Sequence, residues 1–269
     1  MEGGSAGTAS LHIGTSGWSY PNWRGPFYPR GLKPADWLAF YGRHFGTVEL
    51  NASFYRLPAP ATVERWSAAT PAGFVFAVKA WRVLTHEHRL RDCGEPLQTF
   101  LDRILPLTGT NGIVLFQLPP RFPVDVPRLG EFLAELPVSH RYAFEFRDPS
   151  WWRDDVLELL DAHGMSFVSF DLAGLHPPRR VCGGRAYVRL HGHAQRYRGR
   201  YPHAVLRDWA TWLAAQRAAG HGTLVYFDNT MLADDALRDA RALADLLGPG
   251  PTAGGSPHSG TPALRSAST

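Results

Sequence analysis

The feature that most limits how this chain can fold is a repetition. Eight short runs rich in β-branched and aromatic residues recur along it: LHIGTS (11–16), TVELN (47–51), FVFAVKA (74–80), GIVLFQL (112–118), YAFEFR (142–147), SFVSFDL (166–172), AYVRLHG (186–192) and TLVYFDN (223–229). Each has the length and composition of a strand. Most gaps hold a helical pattern, at Asp36–Phe45, Pro60–Ala69, Pro96–Leu107, Pro127–Leu136 and Ala233–Leu247. Asp148 and Pro149 offer an N-cap and a first-turn proline for a further helix, which Gly164 can end. Strands alternating with helices build parallel sheets, so eight such units predict an α/β fold, a single (β/α)8 TIM-type barrel over residues 11–247. The sixth helical unit is expected to be irregular. Only LAGLHPPRRVCGGR joins strands six and seven, and its two prolines and three glycines leave little room for a helix. An open doubly wound sheet is the competing architecture, but the Gly-rich phosphate fingerprint that would support it is missing. Residues 1–10 and 248–269 are small, polar or Gly/Pro-rich and are expected to be disordered tails.

Side chains alternate along a strand, so every second residue of each run points into a barrel. One parity collects Glu49 and Asn51, Lys79, Gln117, Glu145 and Arg147, Asp171, Arg189 and His191, and Asp228. Their same-face predecessors, Ala77, Leu115, Ala143, Ser169 and Tyr226, are mostly small or apolar. An apolar stretch followed by polar groups at the carboxyl end places those groups at the mouth, where such barrels keep their active sites. The alternative is a structural network in which the charges neutralise one another, Glu145 with Arg189 and Asp171 with Arg147.

Charge and composition narrow the class. The net charge of +4, from 28 Lys+Arg against 24 Asp+Glu, permits an anionic ligand without demanding one. Cys93 and Cys182 are too few for a disulfide framework or a cysteine zinc site, and are expected to be reduced structural residues. No apolar run approaches membrane-spanning length and the first residues lack a signal-peptide pattern, so a cytoplasmic protein with no membrane association is expected. No obligate protein partner is evident.

The same segments carry a family resemblance. GTSGWSYPNWRGPFYP, TVELNASFYRLP, FAVKAWRVLTH, LFQLPPRF, FEFRDPSW, YVRLHG followed by RYRGRY, and YFDN occur in that order. Together they resemble the YecE-like family, also called domain of unknown function 72, over about residues 11–247. The resemblance implies a TIM-type barrel and leaves the reaction open. One motif departs from the family pattern: the last strand usually ends in paired asparagines, and here it ends in Asp228-Asn229.

With the resemblance, Trp18, Tyr20 and Trp23 fall on the first βα loop, over the mouth, and Tyr55, Trp81, Trp151 and Trp152 on or near other mouth-side loops. Aromatic walls over a polar floor suit a base or a sugar. Gly14 and Gly17 would let the backbone turn sharply and approach a ligand. Packing is the expected role of Trp37, Trp66, Trp209 and Trp212.

Three chemistries are compatible with the floor. Glu145, Asp171, His191 and Asp228 end strands five to eight and offer donors for a divalent metal ion, Mg, Mn or Zn, as the one cofactor to consider. Arg147 and Arg189 on the same faces weigh against it. Lys79, Arg147 and Arg189 would hold a phosphate or carboxylate, and HGHAQRYRGRY interleaves arginine with Tyr197 as a nucleic-acid groove does. Glu49 and Glu145 are candidate acid and base, and Arg82, His86 and Asn229 stand where they can reach a ligand. The leading expectation is a mouth that binds a phosphorylated, nucleotide-like or nucleic-acid ligand and hydrolyses a phosphodiester. The alternatives are a metal-free isomerase or lyase on a sugar phosphate using Lys79 and Glu49, and a non-catalytic nucleotide or nucleic-acid binding module.

Overall fold

The structure is a computed structural model that describes residues 9–109 and 111–248. Apart from residues 9, 10 and 248, the expected tails lie outside that range. Eight parallel strands form one sheet: β1 (Leu11–Thr15), β2 (Thr47–Leu50), β3 (Val75–Lys79), β4 (Ile113–Leu118), β5 (Tyr142–Phe146), β6 (Ser166–Asp171), β7 (Arg185–Leu190) and β8 (Gly222–Phe227). Their order, β1-β8-β7-β6-β5-β4-β3-β2, brings the first strand round to the second. The seam is drawn together by a bridge between Ser16 and Glu49, where the Gly17 N–H donates to the Glu49 carbonyl at 2.7 Å. Gly14 is required there. A Cβ on it would lie 2.3 Å from the Thr47 carbonyl oxygen, so the glycine serves the approach of β1 to β2 rather than of a ligand.

The helices are α1 (Trp37–Gly42), a short α2 (Ala52–Tyr55), α3 (Pro60–Ala68), α4 (Gly94–Thr108), α5 (Val126–Glu135), α6 (Asp154–Ala162), α7 (His203–Ala218) and α8 (Asp235–Leu247). No helix lies between β6 and β7, as the prolines and glycines predict. The Asp148-Pro149 signal was placed correctly but caps something smaller than α6. The Asp148 carboxylate accepts from the Ser150 N–H at 3.0 Å and starts a single 3-10 turn, Pro149–Trp151, before α6 begins at Asp154. Gly164, at φ 67°, and Gly248, at φ 71°, follow α6 and α8 in the left-handed region.

Two apolar cores result. Val75, Ala77, Ile113, Leu115, Ala143, Val168, Tyr187, Leu224 and Tyr226 fill the barrel bore. The opposite strand faces pack on the helices through residues such as Val48, Phe116, Phe144, Phe167, Leu190 and Phe227. The parity expectation holds for most strands and is corrected in β6. There Val168 belongs to the bore, paired in register with Tyr187, and Phe170 is paired with Arg189. Ser169 and Asp171 therefore face outward, and Ser169 Oγ donates to the Pro178 carbonyl in the loop outside the barrel at 3.1 Å.

The first βα loop is held by its own aromatic residues. Trp23 contacts Tyr20, Phe27 and Tyr28, and Tyr28 stacks on Trp37 with centroids 4.7 Å apart. Trp18 is buried edge-on against Trp66 of α3, so it packs the loop onto the helical layer and does not wall the mouth. Trp151 is likewise buried, stacked on Phe146, with its Nε1 donating to the Phe122 carbonyl at 2.6 Å.

Candidate active site

At the carboxyl ends of the strands a buried polar network replaces the apolar bore. Arg189 is its centre. Its Nε donates to Glu49 Oε2 at 2.8 Å, its Nη2 to Glu49 Oε1 at 2.5 Å, and its Nη1 to Glu145 Oε2 at 2.6 Å. Such a fork matches guanidinium geometry and makes these bonds strong. Glu49 also accepts from Ser16 Oγ at 2.6 Å and from the Tyr187 hydroxyl at 2.9 Å. Burial pushes the Glu145 carboxyl up, but the Arg147 and Arg189 guanidiniums outweigh it and hold Glu145 well below the usual carboxylate range. Two carboxylates and one guanidinium are thus buried together with every carboxylate oxygen hydrogen-bonded, which offsets the cost of removing them from water.

From Glu145 the network continues outward. Arg147 Nε donates to Glu145 Oε1, and Arg147 Nη2 meets His191 Nε2 at 2.9 Å. A guanidinium can only donate, so Nε2 is the acceptor and the imidazole proton sits on Nδ1. That nitrogen donates to Asp228 Oδ2 at 2.9 Å. Burial raises Asp228, yet the His191 hydrogen bond, Arg189 and Lys79 bring it below its ordinary value. The result is a histidine held between the Asp228 carboxylate and the Arg147 guanidinium.

Lys79 differs from the other cations. Its Nζ donates to Gln117 Oε1 at 2.7 Å and lies 4.1 Å from the Phe54 ring centroid. Among the described residues no carboxylate pairs with it. Burial, then the repulsion of Arg189, lowers it to about 8, with Glu145 and Glu49 opposing. His86 stands close enough for Lys79 to help depress it, after burial, to about 4, and its ring meets the Phe54 edge at 4.9 Å. Tyr197, in the left-handed region at φ 64°, turns its ring edge to His191 at 5.7 Å.

Other expected site residues are placed elsewhere. Asp171, facing outward, pairs with His193 Nδ1 at 2.9 Å and lies 3.3 Å from His176 Nδ1; it meets neither Arg147 nor the His191 group. Asn229 is buried and tied to the shell, donating to the Gly199 carbonyl and to Asp239 Oδ2, both at 2.8 Å. Arg82 pairs with Glu87 at 3.2 Å in half-exposed surroundings, and Tyr55 is 73% exposed at the rim. Asn51 precedes α2 with its Oδ1 buried and unpartnered.

The metal expectation is corrected on this geometry. Both Glu145 oxygens and both His191 nitrogens are engaged, Asp171 lies on the other strand face, and no three His, Cys, Asp or Glu side chains among the described residues are arranged to hold a metal. The residues present do not fit a metal.

Sequence reasoning left out Ser16, Tyr187 and Phe170. Ser16 and Tyr187 lie on the inward parity of their strands, so the same rule reaches them. Phe170, whose ring lies 4.8 Å from the Arg147 guanidinium, was hidden by the wrong parity of β6.

The family model described as "Protein of unknown function DUF72" matches residues 12–262. The chain belongs to the DUF72 family. Its curated relatives include UPF0759 protein YecE of Escherichia coli K12, 32% identical over 203 residues, covering 73% of this chain and 70% of YecE. UPF0759 protein YunF of Bacillus subtilis is 26% identical over 274 residues, covering 88% and 94%. A crystal structure of a DUF72 family protein from Thermotoga maritima superposes with a TM-score of 0.78 at 29% identity, over 88% of this chain and 99% of that one. Another, from Enterococcus faecalis, gives 0.74 at 19% identity over 88% and 94%, a likeness of fold alone. Apart from Leu11, every strand residue of the barrel lies within the DUF72 match.

Proposed function

We propose that the mouth of this DUF72 barrel binds a small anionic carbonyl compound, such as a phosphorylated sugar, and acts on it as a metal-free lyase or isomerase through Lys79. The observation that carries this is the state of Lys79: half-buried, without a carboxylate partner among the described residues, and lowered to about 8. A desolvated amine near neutrality is nucleophilic. The Lys79 ammonium gives up a proton, its lone pair adds to the substrate carbonyl carbon, and that proton returns as the carbonyl oxygen leaves as water, which gives a protonated Schiff base. The Asp228–His191 pair then supplies a base once Arg147 turns from His191 Nε2 toward the ligand's anionic group. Glu49 and Arg189 are so fully committed to each other that they hold the floor rather than react.

Lysine itself supports the choice. The chain has 28 Lys+Arg but only two lysines, Lys33 and Lys79, so the mouth keeps an amine in a chain that otherwise uses guanidinium. Metal-assisted phosphodiester hydrolysis, by contrast, lacks its donor set.

The test is incubation with a panel of phosphorylated aldehydes and ketones, borohydride reduction, and mass spectrometry of the peptides. Hydride delivery to the Schiff-base carbon would fix a secondary amine on Lys79. Exposed Lys33 is the internal control. A label confined to Lys33, or equal on both, refutes the reading. A second reading, a nucleic-acid binding module, draws on exposed Arg196 and Arg198 beside Tyr197. It expects salt-sensitive oligonucleotide binding that Arg196→Ala/Arg198→Ala abolishes, with no turnover.

A further inference from the structure

The opposite pole of the barrel holds a second concavity, at the other ends of the same strands that reach the mouth. It is a cavity of about 340 Å³ at the amino-terminal ends of the strands. Val75, Ile113 and Leu224, the lowest side chains of the bore, close it from within. Among the described residues its charged or titratable lining consists of His12, Arg141 and Arg185, with no Asp or Glu; Ser10, Asn111 and Thr223 add polar groups.

The two arginines are anchored without being neutralised. Arg185 Nη1 donates to the Gly183 carbonyl at 3.0 Å and Arg141 Nη1 to the Asn111 carbonyl at 3.3 Å. Neither forms an ion pair among the described residues. Backbone carbonyls orient the guanidiniums but do not cancel their charge, and each keeps donors to spare. Half-burial, and behind it the charge of Arg141, makes protonation of Arg185 less favourable than usual; the same two causes act on His12. Like charges have been brought together in a concavity, at a cost that an anion would relieve.

We infer that this pole is an oxyanion site, taking inorganic phosphate or the phosphate of a small monoester between Arg141 and Arg185, and that it is separate from the mouth. Planar guanidiniums with free donors suit a tetrahedral oxyanion, and the apolar floor limits the guest to a small group at the surface. The site is independent of the Lys79 chemistry. It would couple phosphate level to the stability of the bottom of the barrel, where the ends of β1, β3, β4, β7 and β8 meet.

Inorganic phosphate is the probe, added at constant ionic strength against chloride, with binding read by calorimetry and by the thermal midpoint. Glucose 6-phosphate and acetate form parallel arms that separate a phosphate site from a general anion site. Wild type and Lys79→Ala should both bind phosphate and gain stability in proportion to its concentration. Arg141→Ala/Arg185→Ala should bind at least roughly tenfold more weakly, the loss expected for a charge-assisted pair. Because that double variant can fail to fold, Arg141→Glu at the exposed position is the second arm. It places a carboxylate beside Arg185, so it should melt higher than wild type without phosphate and no longer respond to it. The inference is overturned by no phosphate binding in wild type, by an equal response to acetate, by a response lost in Lys79→Ala but kept in the arginine variants, or by an Arg141→Glu variant that still responds.

Discussion

Residues in the floor of the mouth answer to two opposing terms, burial and charge. Arg189 shows the first most plainly, since it is buried with two glutamates on its three nitrogens. Arg189→Met leaves Glu49 and Glu145 buried without their counter-charge and should cost about 3–5 kcal/mol in chemical denaturation. A loss below about 1 kcal/mol would mean the network is solvated and not a buried ion cluster. Lys79 shows the opposite sign. Its folded value of about 8 lies below its ordinary 10.5, so between those values its unfolded form holds more protons and its own contribution to stability rises with pH. Below about 8 the full penalty applies. Lys79→Met should therefore be more stable than wild type at pH 7, by on the order of 2–3 kcal/mol less what Gln117 loses, and that difference should shrink as pH rises from about 8 to 10.5. A difference between the two proteins that does not change from pH 8 to 10.5 would remove both the penalty and the nucleophile. Glu145 and Asp228 are held low, so their contribution is present at neutral pH and lost only as pH falls below the ordinary carboxylate range.

Elements place these residues, and β1 shows how little tolerance the placement has. The seam between β1 and β2 depends on Gly14 lying against the Thr47 carbonyl, next to the Thr47 Oγ1 bond to the Val75 carbonyl at 2.7 Å. Gly14→Ala should lower stability by more than about 2 kcal/mol, since a Cβ at that distance must push two strands apart. It should also weaken the Ser16–Glu49 bond above it, read as a fall in borohydride labelling of Lys79 by the same substrate. An alanine variant with unchanged denaturation would show that the seam is open. The sixth unit is the counter-example. Lacking a helix, its loop leaves Asp171 facing His176 and His193, and this absence of a helical layer is legible in two prolines and three glycines. The direction of Asp171 is not. A one-residue change of phase reverses every side chain of a strand; in SFVSFDL one parity carries Val168, Phe170 and Leu172 and the other Phe167, Ser169 and Asp171, and nothing local says which of the two faces the bore.

On the scale of the whole molecule, the barrel joins its first and last strands, and its core is expected to open as a unit. Cys93 and Cys182 report on that. Both are buried, with their thiols pushed up by burial to about 12 and about 11. A thiol reagent should label neither in the native protein, and both should label together at the rate of global unfolding. Fast labelling of one alone would reveal a locally open layer. Strand number, strand order of apolar and polar positions, and the missing sixth helix follow from the sequence by itself, because period and turn chemistry are local properties of the chain. So does the gathering of Glu49, Lys79, Gln117, Glu145, Arg147, Arg189, His191 and Asp228 at one end, once alternation is applied to eight parallel strands. Only the tertiary structure decided which of them pair. Arg147 chose Glu145 and His191 over Asp171, Trp18 chose Trp66 over the mouth, and among the described residues Lys79 was left without a carboxylate. Pairing among like candidates depends on distances of a few ångströms between residues far apart in sequence, and those distances exist only after the sheet has closed.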